Sequence, residues 1–202
     1  MSEFQSPAYT HPLLPQWLRR FLYFKRRDAS KQAGCYEASF LAAQARSILW
    51  GLKPPPMEPL PIRYAATSTI SSVHWHLHQS VGHLSREVVA SERFGVTASI
   101  RTMLEAKLKT RLTYTLGYVV QDGQRLCHTS ITGLEQMLRA GIAPNRRLNL
   151  HAWLTLPSHE VIDVCFWAQF PDLSCAEEAE MRCLFMHPDQ MPGRSYCPQW
   201  VG

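Results

Sequence analysis

The segment Leu148–Val164, LNLHAWLTLPSHEVIDV, constrains this chain more than any other. Leu148, Leu150, Ala152 and Leu154 alternate with Asn149, His151 and Trp153, a period of two that separates an apolar face of a β-strand from a mixed one. The whole segment reads as a β-hairpin. Asp163 follows His151 by twelve residues, so a three-residue loop, Leu156-Pro157-Ser158, centres the hairpin on Pro157 and sets the two directly opposite each other. Opposed β-carbons lie about 4.5–5.5 Å apart, close enough for a carboxylate to hold an imidazole through one ring nitrogen. A loop of even length would place them on opposite faces.

A histidine oriented by an aspartate calls for a nucleophile, and Gly34-Cys35 supplies one far upstream. The Ala-rich run after it stops at Gly51, shortly before Pro54-Pro55-Pro56, which marks a helix with Cys35 in its first turn. Leu41, Ala45, Ile48, Leu49 and Leu52 are spaced for its buried stripe. Free N–H groups and the positive end of the helix dipole favour a thiolate there. Cys35, His151 and Asp163 thus supply nucleophile, general acid/base and orienting acid of a Cys-His-Asp triad. Backbone N–H groups at the helix start would stabilise an oxyanion, with a side-chain donor from Gln32 beside them. Trp153 is a core residue or one wall of the substrate groove.

Gly-Cys opening a small-residue-rich helix, His-Ala-Trp on a later strand and Asp on the next resembles the transglutaminase-like branch of the papain-like cysteine hydrolases. The lasso-peptide leader peptidases of that branch are the nearest analogy. The resemblance covers Gly34–Gly51 and Leu148–Val164. It implies an α+β papain-like or transglutaminase-like fold, with the Cys35 helix packed against an antiparallel sheet that carries His151 and Asp163. It implies the same three roles for Cys35, His151 and Asp163.

Length allows one domain over 1–202, with 1–15 as an extended arm and 71–110 as a helical insert. Net charge of +5 accompanies only 18% charged residues, and no nucleic-acid-binding motif goes with it, so no specific nucleic-acid partner is expected. Gln16–Arg27 pairs an apolar helical face with a basic one, read as a packed helix. Six cysteines without a Cys-x-x-Cys pair, and no signal peptide or membrane span, point to a cytoplasmic protein with reduced thiols. The oligomeric state stays open.

His74, His76 and His78 would share one face of a strand, whereas on a helix only His74 and His78 pair. Periodicity through Val81, Leu84 and Val88 favours helix, the residues name no unique third ligand, and neither metal nor cofactor is expected. Elsewhere the pattern predicts a strand over Leu60–Thr69, and a helix over Val96–Lys109 capped by Thr97. A strand over Arg111–Gln121 then turns at Asp122-Gly123 and returns through Gln124–Thr129, with Cys127 and His128 structural. A capping box at Thr132 and Glu135 opens a helix ended by Gly141. The strand after Asp163 runs on through Phe166 and Trp167, and Ser174 caps a helix reaching Met186.

Three functions follow. The first is cysteine-dependent hydrolysis or acyl transfer on a peptide or amide bond, with a peptide or protein substrate. The second is a binding or regulatory protein on the same scaffold without turnover, suggested by low charge and exposed Trp50, Trp167 and Trp200. The third is a metal-dependent hydrolase centred on His74, His76 and His78.

Overall fold

The computed structural model describes residues 36–57, 60–141 and 148–202. Gln32, Cys35, the arm over 1–15 and the basic segment over 16–27 lie outside them. The described residues form an α+β structure in which six strands make one antiparallel sheet. Helix α1 (Tyr36–Leu49) precedes a helical stretch of α2 (Thr67–Val81), α3 (Arg86–Ser91) and α4 (Arg93–Leu108). The long strand β1 (Thr113–Gln121) turns back into β2 (Gln124–Leu126), followed by α5 (Ile131–Ala140). Strands β3 (His151–Thr155) and β4 (Val161–Asp163) lead to the single turn α6 (Phe166–Gln169), then α7 (Ala176–Met181), β5 (Leu184–Met186) and β6 (Arg194–Val201).

The sheet is organised by β1. One edge pairs β6 along Thr115–Gln121, while the other carries β3 opposite Thr113–Gly117 and β2 opposite Val119–Gln121, end to end. Strands β4 and β5 extend the sheet beyond β3. The β1–β2 turn uses positive φ at Asp122 (49°) and Gly123 (82°), the two-residue geometry that matches the right-handed twist of the strands.

Each face of the sheet has its own cover. Val119, Trp153, Val161, Tyr196 and Val201 cluster with Tyr36, Phe40 and Ala43 of α1. Leu154, Leu156 and Ile162 cluster instead with Val73 and Leu77 of α2, Val89 of α3, and Val96, Ile100 and Leu104 of α4. The alternation along β3 that defines the hairpin therefore also decides which helices each side chain meets.

Several expectations change. Helix α1 buries Tyr36, Phe40, Ala43 and Ser47, not the aliphatic stripe, leaving Leu41 at 39% and Ile48 at 58% exposure. The reason lies in β6: Ser47 Oγ accepts from Val201 N (2.9 Å), and Arg46 donates to the Gln199 carbonyl (2.7 Å), so polar side chains turn this face inward. Residues 60–66 form no strand, because the buried Glu160 carboxylate takes the N–H groups of Tyr64 and Ala65 (2.7 and 3.1 Å) that a ladder would need. Helix α4 starts at Arg93, and Thr97 lies buried within it rather than capping it.

Ser130, not Thr132, caps α5, its Oγ accepting from Gly133 N (3.1 Å). Cys175 caps α7, which ends at Met181 and leaves Leu184–Met186 free to pair β4. Trp167 is buried, with its indole N–H donated to the Val164 carbonyl (2.9 Å).

Gly117 marks a close approach of β1 to β6 and to the Trp153 side chain of β3. It sits at a register shift against β6, where an added β-carbon would collide with the Cys197 carbonyl oxygen and lie 2.8 Å from the Trp153 ring. Gly117→Ala is expected to cost about 1–3 kcal/mol through overpacking, measured as a loss in urea unfolding free energy. A variant as stable as wild type would contradict this packing.

Candidate functional site

The β3–β4 hairpin has a three-residue loop, but it is Pro157-Ser158-His159, one residue later than expected. Leu154 pairs Ile162, Thr155 pairs Val161, and Leu156 N donates to the Glu160 carbonyl (2.9 Å). His159 adopts φ 62° to close the loop, the left-handed position such loops require. This register carries Asp163 to the position of Trp153, so His151 and Asp163 are diagonal neighbours rather than opposed ones. The odd loop length keeps both on one face, and diagonal neighbours about 7–8 Å apart at Cα remain within reach of extended side chains. His151 Nε2 lies 2.6 Å from Asp163 Oδ2, with both side chains wholly buried.

Asp163 is the most heavily bonded side chain of the site. Its Oδ1 accepts the N–H groups of Cys165 (2.9 Å) and Phe166 (3.1 Å), which ends β4 and starts α6. That local bonding is why Phe166 and Trp167 are helical rather than a continuation of the strand. Its Oδ2 also accepts from the Tyr196 hydroxyl (2.6 Å). Burial pushes this carboxyl up, but the His151 charge and the hydrogen bonds from His151, Tyr196 and Cys165 outweigh it and hold the carboxyl below 3.8. Tyr196 moves the opposite way, well above 10.0, driven by burial and then by the adjacent Asp163.

One turn of helix after Asp163, Gln169 returns to the same imidazole, with Oε1 2.6 Å from His151 Nδ1. A protonated ring thus finds an acceptor at each nitrogen, and a neutral ring that gives Nε2–H to Asp163 keeps its lone pair on Nδ1. Aromatic rings enclose the pair. Trp153 stacks on His151 at 5.9 Å, Phe166 meets it edge-on at 5.9 Å, and Tyr196 lies at 6.4 Å.

Tyr36, the first residue of α1, joins this enclosure. Its hydroxyl accepts from Trp153 Nε1 (2.7 Å) and bonds Thr155 Oγ1 (2.7 Å), while its backbone N–H donates to Asp189 (2.9 Å). Trp153 is fully buried and serves as the bridge between α1 and His151. A cavity of about 230 Å³ opens at the start of α1, bounded by Tyr36, Ser39, Asp189, Arg194 and Tyr196.

The expected residues are thus placed unequally. His151, Asp163 and Trp153 come together; Cys35 and Gln32 lie outside the described residues, with Tyr36 the described residue adjoining Cys35. Gln169, Tyr196 and Phe166 escaped the sequence reading. Gln169 carried a signal: Asp163 read as a helix cap would have placed it one turn on. Tyr196 comes from a strand 33 residues away and carried none.

Of the other thiols, burial raises those of Cys127, Cys183 and Cys197, and pushes Cys165 up to about 12. Cys127 lies just beyond β2 with φ 57°, so it leaves the strand geometry expected for it. The histidine cluster lies on α2, and among the described residues no three His, Cys, Asp or Glu side chains are grouped to hold a metal. No described helix is long and apolar enough to cross a membrane. Comparison with family models, with curated proteins and with solved structures finds no match to the chain.

Because the folded state holds Asp163 below its unfolded value, its stabilising contribution is present above the ordinary carboxylate range and is lost as pH falls through the lower folded value. Tyr196→Phe removes one donor from this buried carboxylate and is expected to cost about 1–3 kcal/mol at neutral pH. The cost should shrink in the acid range where Asp163 is protonated. Urea unfolding from neutral pH down through the range below 3.8 where the folded-state carboxyl takes up its proton checks both statements, and a deficit that stays constant through that protonation would contradict the bond.

Proposed function

We propose that this chain is a cysteine-dependent hydrolase or acyltransferase of the transglutaminase-like kind, acting on a peptide or amide bond through Cys35, His151 and Asp163. The observation that carries this reading is the His151–Asp163 pair at 2.6 Å, with the carboxylate fixed by two backbone N–H groups and Tyr196. Such a network orients an imidazole and stabilises it when protonated, as a thiolate–imidazolium pair requires. Further support comes from Tyr36, which adjoins Cys35 and bonds to the indole stacked on His151.

In this mechanism His151 takes the Cys35 proton. The thiolate attacks the carbonyl carbon, and the tetrahedral oxyanion collapses as His151 returns the proton to the leaving amine. Water or an acceptor amine, deprotonated by His151, then attacks the thioester and releases Cys35. Asp163 keeps its charge throughout. The apolar rings around His151 strengthen its ion pairing by excluding water.

A second reading rests on the same burial. His151 and Asp163 have no exposed surface, and Gln169 occupies the second ring nitrogen, an arrangement suited to a binding or regulatory protein without turnover.

Iodoacetamide labelling of Cys35 against pH separates the two. The assay uses Cys175→Ser, which removes the one exposed thiol among the described residues while leaving a capping side chain at α7. Cys35 is expected to titrate well below ~8.5 and to return towards that value in His151→Ala. An ordinary, slow titration in both proteins would defeat the catalytic reading and favour the binding one.

A further inference from the structure

Helix α1 is apolar on the side it turns away from the sheet as well as on the side it buries. Tyr36, Phe40, Ala43 and Ser47 form the buried side. With about 3.6 residues per turn, the opposite side carries Ala38, Leu41, Ala42, Ala45, Ile48 and Leu49. No polar residue interrupts that stripe; Glu37, Gln44 and Arg46 lie at its margins. Leu41, Ile48 and Leu49 are 39%, 58% and 37% exposed. A scattered exposed leucine is ordinary, but a helix apolar all round belongs in an interior, and a continuous exposed stripe marks an interaction surface.

The stripe is complementary to itself. Ala45 stands at its centre, directly opposite the buried side, and the residues before and after it are matched in size. Where two antiparallel copies of α1 cross at Ala45, Leu41 of one lies beside Ile48 of the other, and Leu49 lies over the small Ala42. Large side chains then fill the grooves that small ones leave, as helix packing requires. The bare methyl of Ala45 lets the two axes approach at the crossing.

Charge follows the same symmetry. Glu37 stands at the start of α1 and Lys53 just beyond its end, both exposed and equally far along the chain from Ala45. An antiparallel crossing brings Glu37 of each copy to Lys53 of the other and opposes the two helix dipoles. A parallel crossing would place like charges together at both ends.

We propose that this chain forms a two-fold symmetric dimer through the outer stripe of α1, with the two helices antiparallel and crossing at Ala45. A two-fold interface needs a patch that is its own complement, and this order of sizes and charges supplies one. The 14 residues of α1 span about 21 Å, so the contact is small and the dimer dissociates on dilution. Association uses none of the groups assigned to catalysis.

Sedimentation equilibrium of the full chain, with its thiols kept reduced, over roughly 1 to 300 µM should show a reversible monomer–dimer equilibrium. Ile48→Lys changes an exposed position and should weaken association at least about tenfold while leaving the far-UV circular dichroism unchanged. Leu41→Gln repeats the measurement at the other arm of the stripe without adding charge. Glu37→Lys and Lys53→Glu should each weaken association about threefold to tenfold, and the two exchanges in one chain should restore most of that loss. A chain that stays monomeric over the whole range, as it would with another part of the chain or a different protein covering the stripe, overturns the dimer. Association indifferent to both Ile48→Lys and Leu41→Gln overturns the assignment to α1. Failure of the double exchange to rescue affinity overturns the antiparallel crossing.

Discussion

The Asp163 carboxylate is the point on which the site depends. One oxygen accepts two backbone N–H groups, and the other accepts from Tyr196 and faces His151. A buried carboxylate with so many donors has little freedom, and moving it would leave a charge uncompensated in an apolar interior. Its bonding also ends β4 and starts α6, which returns Gln169 to the far nitrogen of His151. A single acid therefore terminates a strand, initiates a helix and orients an imidazole.

The sheet gives that acid its surroundings. The face that carries His151 and Trp153 is covered by α1 and aromatic side chains, whereas the opposite face packs against three helices through aliphatic ones. The polar network around the dyad thus lies on one side, where Tyr36, Thr155 and Trp153 satisfy one another. The Arg194–Glu178 pair ties the start of β6 to α7 and lays a guanidinium on Phe166. Through these contacts the dyad and the cavity at the start of α1 share a wall.

Much of this was legible along the chain where the signal was local. The two-residue period of β3, the Asp122-Gly123 turn and the odd loop between His151 and Asp163 all depend on neighbours in sequence. The errors arose where a distant partner intervened or where a nearby side chain took the backbone N–H groups of a helix start. Glu160 withdrew the N–H groups of Tyr64 and Ala65 from strand pairing. Ser47 and Arg46 turned α1 towards β6, leaving Ile48 in solvent. Asp163 capped a turn that apolar residues alone described as strand. A capping side chain at Ser130 or Cys175 competed with equally suitable neighbours two residues or one residue away, and packing chose between them.

By itself, the sequence determined that His151 and Asp163 share one face of the hairpin if its loop is odd, because residues an even distance apart in paired strands around an odd loop must do so. It also determined an α+β class, through one run of period two and others of helical period. Only the tertiary structure decided what holds the pair. Tyr196 and Trp153 reach it through sheet pairing, Gln169 through a helix that Asp163 itself starts, and the register slid by one residue to suit the loop at His159. Such contacts depend on which strands become neighbours, and no local pattern of residues encodes that choice.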